Sequence, residues 1–169
     1  MPKKNQVFLL LGSNINPRLD FIRESIERIE KQIGIILKNS HLYETEPWGF
    51  ESDTLFLNQV IEVQTIRSVI DVHSQTRQIE LEMGRLKVPG TRYTSRNIDI
   101  DILYFNQEVL HSNELTIPHP RLHVRRFTLI PLVEIVPEFR HPVFKLSQRE
   151  LLEKCTDQGI VRSYQTEQS

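Results

Sequence analysis

A single cysteine, Cys155, among 169 residues excludes an internal disulfide framework and fits a reducing compartment. Long apolar runs are missing too. The run near the N-terminus covers only residues 7–11, far short of a membrane span and of the hydrophobic region of a signal peptide. Neither sign of charge dominates: the formal net charge is −1, so the overall balance points to neither nucleic acid nor an anionic membrane as partner. Both familiar glycine-rich phosphate loops, G-x-x-x-x-G-K-[ST] and G-x-G-x-x-G, are absent, so any bound phosphate must be held by other means. Internal repeats and low-complexity segments are lacking as well. What remains is an ordinary globular composition, 38% hydrophobic and 25% charged, expected to form one domain over residues 1–169 in the cytoplasm.

Within that frame the elements are readable. QVFLLLG (6–12) is an apolar run closed by glycine and predicts a buried central strand. Leu19, Ile22, Ile26, Ile29 and Ile33 recur at three- and four-residue steps, predicting one helix between Pro17 and Gly34. Residues 35–46 read as a strand running into a loop, and 55–65 as a further strand. Ser68 opens a helix to about Gly84, with Val69, Val72, Ile79 and Met83 facing inward. The stretch 115–139, interrupted by four prolines, reads as short broken elements, and 147–155 as a short helix capped by Ser147. The order predicts an α+β fold, an antiparallel sheet with helices on one face.

RNIDIDILYF (96–105) breaks the usual pattern for a strand. Its isoleucines alternate with Asp99 and Asp101, so both carboxylates stand on one face although aspartate is a poor strand former and like charges repel. Their Cβ atoms lie roughly 6.6–7 Å apart from the rise per residue, and their side chains could share two cations about 3.5–4 Å apart. Oxygen-only ligands favour Mg²⁺, completed by phosphates and water. Cations surround this strand: Arg85, Lys87, Arg92 and Arg96 precede it, Arg77 lies on the preceding helix, and Arg121, Arg125 and Arg126 follow PHP (118–120). Arginine forks and metal-bridged carboxylates together would clamp a polyphosphate. A solvated charged face is the plain alternative. Likewise Trp48, Phe50 and Phe56 around Asn58 could wall a pocket for a flat, polar ring, or simply contribute to core and loop.

Taken together these stretches resemble the 6-hydroxymethyl-7,8-dihydropterin pyrophosphokinase family over nearly the whole chain. The matching segments are LGSN (11–14), YETEPWG (43–49), FLNQV (56–60), IELEMGR (79–85), RNIDIDILYF (96–105) and IPHPRLHVRRFTLIPL (117–132). The resemblance implies a ferredoxin-like α+β fold, an antiparallel sheet with helices packed on it as an α-β-α sandwich, and transfer of the β,γ-diphosphate of ATP to the pterin hydroxymethyl group, releasing AMP, in folate biosynthesis. It implies two Mg²⁺ ions on Asp99 and Asp101, with Arg85 and Arg96 supporting catalysis. Thr45, Pro47, Trp48, Phe56, Asn58 and Phe127 would meet the pterin. Glu80, Arg85, Lys87, Arg96, His119 and Arg125 would meet ATP. A monomer acting on these two small molecules, with neither nucleic acid nor membrane as partner, is the expectation. No dedicated general base is assigned.

Two departures stand out. RYTSR (92–96) replaces the Arg-Trp-Gly-Pro-Arg common in the family, and Lys87 stands where an arginine is usual, a point charge instead of a fork. The loop containing Gly90 is expected to close over ATP. A two-metal nuclease or nucleotidyltransferase would also use paired aspartates, but would leave the aromatic pocket unexplained and would favour a basic surface. An RNA-binding module on a ferredoxin-like sheet would place aromatics where this strand places acids.

Overall fold

The computed structural model describes residues 2–47, 54–84, 86–87, 94–95 and 97–166. The chain runs β1 (Asn5–Ser13), α1 (Arg18–Gln32), β2 (Ile35–Asn39), β3 (Tyr43–Thr45), β4 (Phe56–Thr65), α2 (Val69–Glu82), β5 (Leu86–Lys87), β6 (Thr94–Ser95) and β7 (Asp99–Phe105). It continues through β8 (Leu110–His111), β9 (Thr116–Ile117), a 3-10 turn η1 (Leu122–Val124), α3 (Arg126–Ile135), α4 (Gln148–Lys154) and β10 (Val161–Ser163).

The apolar run of β1 is buried because β1 lies between two antiparallel neighbours, β4 on one side and β7 on the other. β2 and β3 follow one another along the far edge of β4, and β10 adds to β3, giving the path β10-β3-β4-β1-β7. Residues 35–46, expected as a strand running into a loop, are thus two strands that share one neighbour.

Period two sorts the side chains of β1 into two layers. Val7, Leu9 and Leu11 join Ile61, Ile100 and Ile102 against Ile22 and Ile29 of α1 and Val72 and Ile79 of α2. Full burial of each such side chain contributes about 1.5–3 kcal/mol. Phe8 and Leu10 face the other way with Val60, Leu103 and Tyr104, against Leu129 and Leu132 of α3 and Leu151 of α4. Helices therefore cover both faces, not the single face that element order suggests. The difference is α3: Pro131 sits inside this helix, so a stretch read as broken by prolines continues for ten residues. Proline there removes a backbone donor and crowds the carbonyl four residues back, but buried Thr128, Leu129, Pro131 and Leu132 anchor the helix to the sheet.

The helix boundaries follow local chemistry. Ser68 accepts the Asp71 amide at the start of α2, and Ser147 with Glu150 forms a reciprocal capping box on α4. Gly84 ends α2 at φ +100°, a conformation that favours glycine.

Candidate active site

Three adjacent strands bring the sequence-predicted residues together. Gly12 on β1 is paired with Asn58 on β4 and with Asp99 on β7, and Leu10 one step along is paired with Asp101. Thr45 of β3 pairs with Phe56 of β4. Residues from four strands therefore face one cavity of about 210 Å³. Leu10 and Gly12 line it centrally, Thr45, Phe56 and Asn58 on one side, Asp99 and Asp101 on the other, and Arg125 and Phe127 reach it from the start of α3. Pro47 lines a smaller neighbouring cleft that also touches Thr45 and Phe127.

The polar groups of this cavity are fixed. Asn58, 3% exposed, donates its side-chain amide to the Thr45 hydroxyl at 2.6 Å. A Cβ on Gly12 would come within 2.7 Å of Asn58 Oδ1, so glycine provides the space in which that amide lies. The Arg125 guanidinium lies 5.6 Å from the centre of the Phe127 ring, within cation–π range. Gly12 belongs to one of the matching sequence segments, yet sequence reasoning gave it no role. The only signal was a glycine ending an apolar strand.

A second cavity, also about 210 Å³, opens on the far side of Asp101. His73 and Arg77 of α2, Glu114 and Thr116 of the β8–β9 hairpin, and His119 line it. Asp101 belongs to both cavities, whereas Asp99 faces only the first. His73, Glu114 and Thr116 had not been singled out: His73 is one polar position on α2, and Glu114 and Thr116 lie on a short hairpin with no periodic signal. Burial holds the His73 imidazole below its ordinary pKa, and the nearby Arg77 charge adds to this.

His119 is anchored by its backbone amide on Leu103 O at 2.9 Å and accepts the Arg121 amide on Nδ1 at 3.1 Å. The neutral ring therefore carries its proton on Nε2. Burial lowers its pKa; the Asp101 carboxylate opposes that shift, and Arg125 and Arg121 reinforce it. Arg125 is itself pulled down by burial and held up by Asp101.

Glu80 lines neither cavity. Only 1% exposed, it accepts the Ile100 amide at 3.1 Å and pairs with Arg77 at 3.2 Å. Trp48, Arg85, Arg96, Tyr93 and the side chain of Lys87 lie outside the described residues, as does the loop around Gly90.

With this geometry in hand, the comparisons with known proteins are consistent. Residues 8–137 match the family described as 7,8-dihydro-6-hydroxymethylpterin-pyrophosphokinase. A Bacillus subtilis 2-amino-4-hydroxy-6-hydroxymethyldihydropteridine pyrophosphokinase is 35% identical over 159 residues, covering 94% of this chain and 89% of that protein. A Porphyromonas gingivalis protein of the same name is 40% identical over 138 residues, covering 80% of this chain and 93% of the relative. The solved wild-type Plasmodium falciparum HPPK-DHPS with pteroate shares the fold at TM-score 0.73 and 19% identity. That match covers 90% of this chain but 44% of the Plasmodium chain, so this chain spans less than half of that protein.

Proposed function

Because the chain belongs to the 7,8-dihydro-6-hydroxymethylpterin-pyrophosphokinase family, we propose that the first cavity holds the pterin, the second holds ATP, and Asp101 stands where the two meet. The reaction is pyrophosphoryl transfer from ATP to hydroxymethyldihydropterin, in folate biosynthesis. The pterin hydroxymethyl oxygen forms a bond to the β-phosphorus, the bond from that phosphorus to the α,β-bridging oxygen breaks, and AMP leaves. The hydroxyl proton passes to solvent.

The observation that carries the assignment is the shared wall at Asp101: a carboxylate common to two cavities lies at the point where groups must be exchanged. Phe127 and Phe56 offer ring faces on the cavity that also holds Asn58 and Thr45. A flat heterocycle stacked there would meet the carbonyl oxygen of Asn58, while the amide nitrogen is already bonded to Thr45. The hydroxymethyl group is then placed toward Asp99 and Asp101, which line the same cavity from β7.

The donor set fits magnesium. Asp99 and Asp101 are the carboxylates facing the first cavity from β7, and among the described residues no cluster of three or more histidine, cysteine or acidic side chains exists. A site of two carboxylates completed by phosphate and water suits a hard, octahedral cation. Two Mg²⁺ ions bound there would neutralise phosphate charge and lower the pKa of the pterin hydroxyl.

The chain's own groups do the positioning. Arg125 lies near Asp101 and beside Phe127, able to present its guanidinium to the transferring phosphates while its flat face rests on the ring. His119, neutral with Nε2–H as donor, can hydrogen-bond a phosphate oxygen without adding charge. Arg85, Lys87 and Arg96 are proposed as further phosphate ligands on sequence grounds alone. Catalysis in this scheme is orientation and electrostatics, as in other phosphoryl transfers.

The test is to follow nucleotide products from ATP, Mg²⁺ and 6-hydroxymethyl-7,8-dihydropterin with wild type and Asp99→Ala. AMP formed only with pterin, and largely lost in the variant, is expected. Unimpaired AMP formation by Asp99→Ala would remove Asp99 from the mechanism.

A further inference from the structure

Helix α3 presents Phe127 to the first cavity, yet it begins without a cap of its own: Arg125 at the N-cap makes no side-chain capping bond. The first turn is weakened again from within. Pro131 has no amide hydrogen, so the Phe127 carbonyl lacks the donor that a helix normally supplies four residues on.

The missing cap comes from the far end of the chain. Asp157, after α4, accepts the Arg126 amide on Oδ2 at 2.9 Å, across 31 residues of sequence. Its other oxygen, Oδ1, accepts the Gly159 amide at 2.9 Å, so the carboxylate is locked to its own loop while it holds the helix. A Cβ on Gly159 would stand 3.1 Å from that same oxygen, which makes a small residue there part of the lock. Two residues further on, Val161 of β10 pairs with Thr45, the hydroxyl partner of Asn58. The segment from Asp157 to Val161 therefore ties together both sides of the cavity, Thr45 on the sheet and Phe127 on the helix, and lines the cleft between them. A negative charge at a helix N-terminus also complements the peptide dipoles there. Arg125 is less dependent on this bond, because its own amide closes η1 onto the carbonyl of Leu122, the first residue of that turn.

We infer that Asp157 is a positioning residue of the pterin site: by capping α3 from outside, it sets where the Phe127 ring stands opposite Thr45 and Asn58. This rests on the reading that Phe127 stacks on the pterin.

A double-mutant cycle on the full chain separates the two ideas. Pterin Kd is measured with Mg²⁺ and α,β-methylene-ATP, whose α,β bridge cannot be cleaved, for wild type, Asp157→Ala, Phe127→Ala and the double variant. Loss of an N-cap carboxylate should weaken pterin binding about five- to tenfold when Phe127 is present. With Phe127 already alanine, the same change should cost less than about twofold, and Kd for the nucleotide alone should move by less than about twofold. An equal effect in both backgrounds, or no effect of Asp157→Ala on pterin, overturns the inference while leaving the stacking reading intact. An unchanged pterin Kd in Phe127→Ala overturns the stacking reading itself. Should Asp157→Ala fail to fold, the same cycle with Asp157→Asn decides, since asparagine keeps one acceptor and should give a smaller effect of the same non-additive kind.

Discussion

Glu80 accepts the backbone amide of Ile100 at 3.1 Å, and Ile100 is the residue between Asp99 and Asp101. β7 is the last strand on its side of the sheet, so an amide on its outer edge has no strand to bond. A buried carboxylate from α2 takes that place and holds the aspartate strand from behind.

Glu80→Ala leaves the Ile100 amide without this acceptor and the Arg77 guanidinium without this carboxylate. A stability loss of about 1–3 kcal/mol is expected for an acceptor removed from a buried donor, read as a shift in the urea unfolding midpoint at constant slope. Glu80→Gln keeps an acceptor and should lose less than half as much. Equal midpoints for wild type and Glu80→Ala would show that the bond carries no stability.

Gly12→Ala places a methyl group 2.7 Å from Asn58 Oδ1. The Asn58 amide must turn or the two strands must separate, so the cavity changes shape where the pterin is proposed to lie. KM for the pterin should rise about tenfold, equivalent to ~1.4 kcal/mol, with KM for ATP nearly unchanged because Gly12 lines the first cavity and not the second. Steady-state kinetics with each substrate varied in turn checks the split.

Asp101→Asn removes one negative charge at the junction of the two cavities. A fall in kcat of about 10²–10³ is expected, in the range found when one preorganised electrostatic contact to the transition state is lost. The Mg²⁺ concentration for half-maximal rate should also rise. Chelation by EDTA should stop AMP release from the wild type, and added Mg²⁺ should restore it. A magnesium titration of AMP release that superimposes for the two proteins would argue against a metal role for Asp101.

His141 supplies a pH dependence away from the site. It is 4% exposed, and its Nδ1 accepts the amides of both Val143 and Phe144, at 3.1 and 3.2 Å. Burial first, and the neighbouring His123 second, push its pKa from 6.5 down to about 4. The folded state therefore binds fewer protons than the unfolded state between these values. The stability contributed by the neutral ring is present above about pH 6.5 and is lost progressively as pH falls toward 4. Urea midpoints measured from pH 7.5 to 4 should show this decline, and His141→Gln, which cannot be protonated in this range, should flatten part of it.

Much of the site was legible because it rests on short-range patterns. Alternation alone puts Asp99 and Asp101 on one face, and the three- and four-residue spacing of Ile22, Ile26 and Ile29 identifies the helix that covers the opposite face. Ser68 and Ser147 mark helix starts since capping is local chemistry. The prolines of residues 115–139 misled for the same reason: a rule about local backbone donors could not weigh the burial that keeps α3 helical through Pro131.

Strand periodicity also failed at one position. Strict alternation along β7 would put Tyr104 among the isoleucines. A register shift opposite Phe8 and Leu9 instead places Leu103 and Tyr104 in the same layer as Leu10, and returns Phe105 to the other. An extra residue in one strand becomes visible only when its partner strand is present.

The division follows from the range of the forces involved. Periodicity, capping and the choice of carboxylates are written into neighbouring residues, so the amino-acid sequence by itself determined the principal elements and the paired acids of β7. Its similarity to known enzymes named the reaction. Which residues meet across the sheet was decided by tertiary pairing alone: Gly12 between Asn58 and Asp99, Glu80 behind Ile100, and Asp157 on the first turn of α3. Each of these contacts joins residues at least 20 positions apart, a distance over which no local propensity acts and only the packed sheet sets the register.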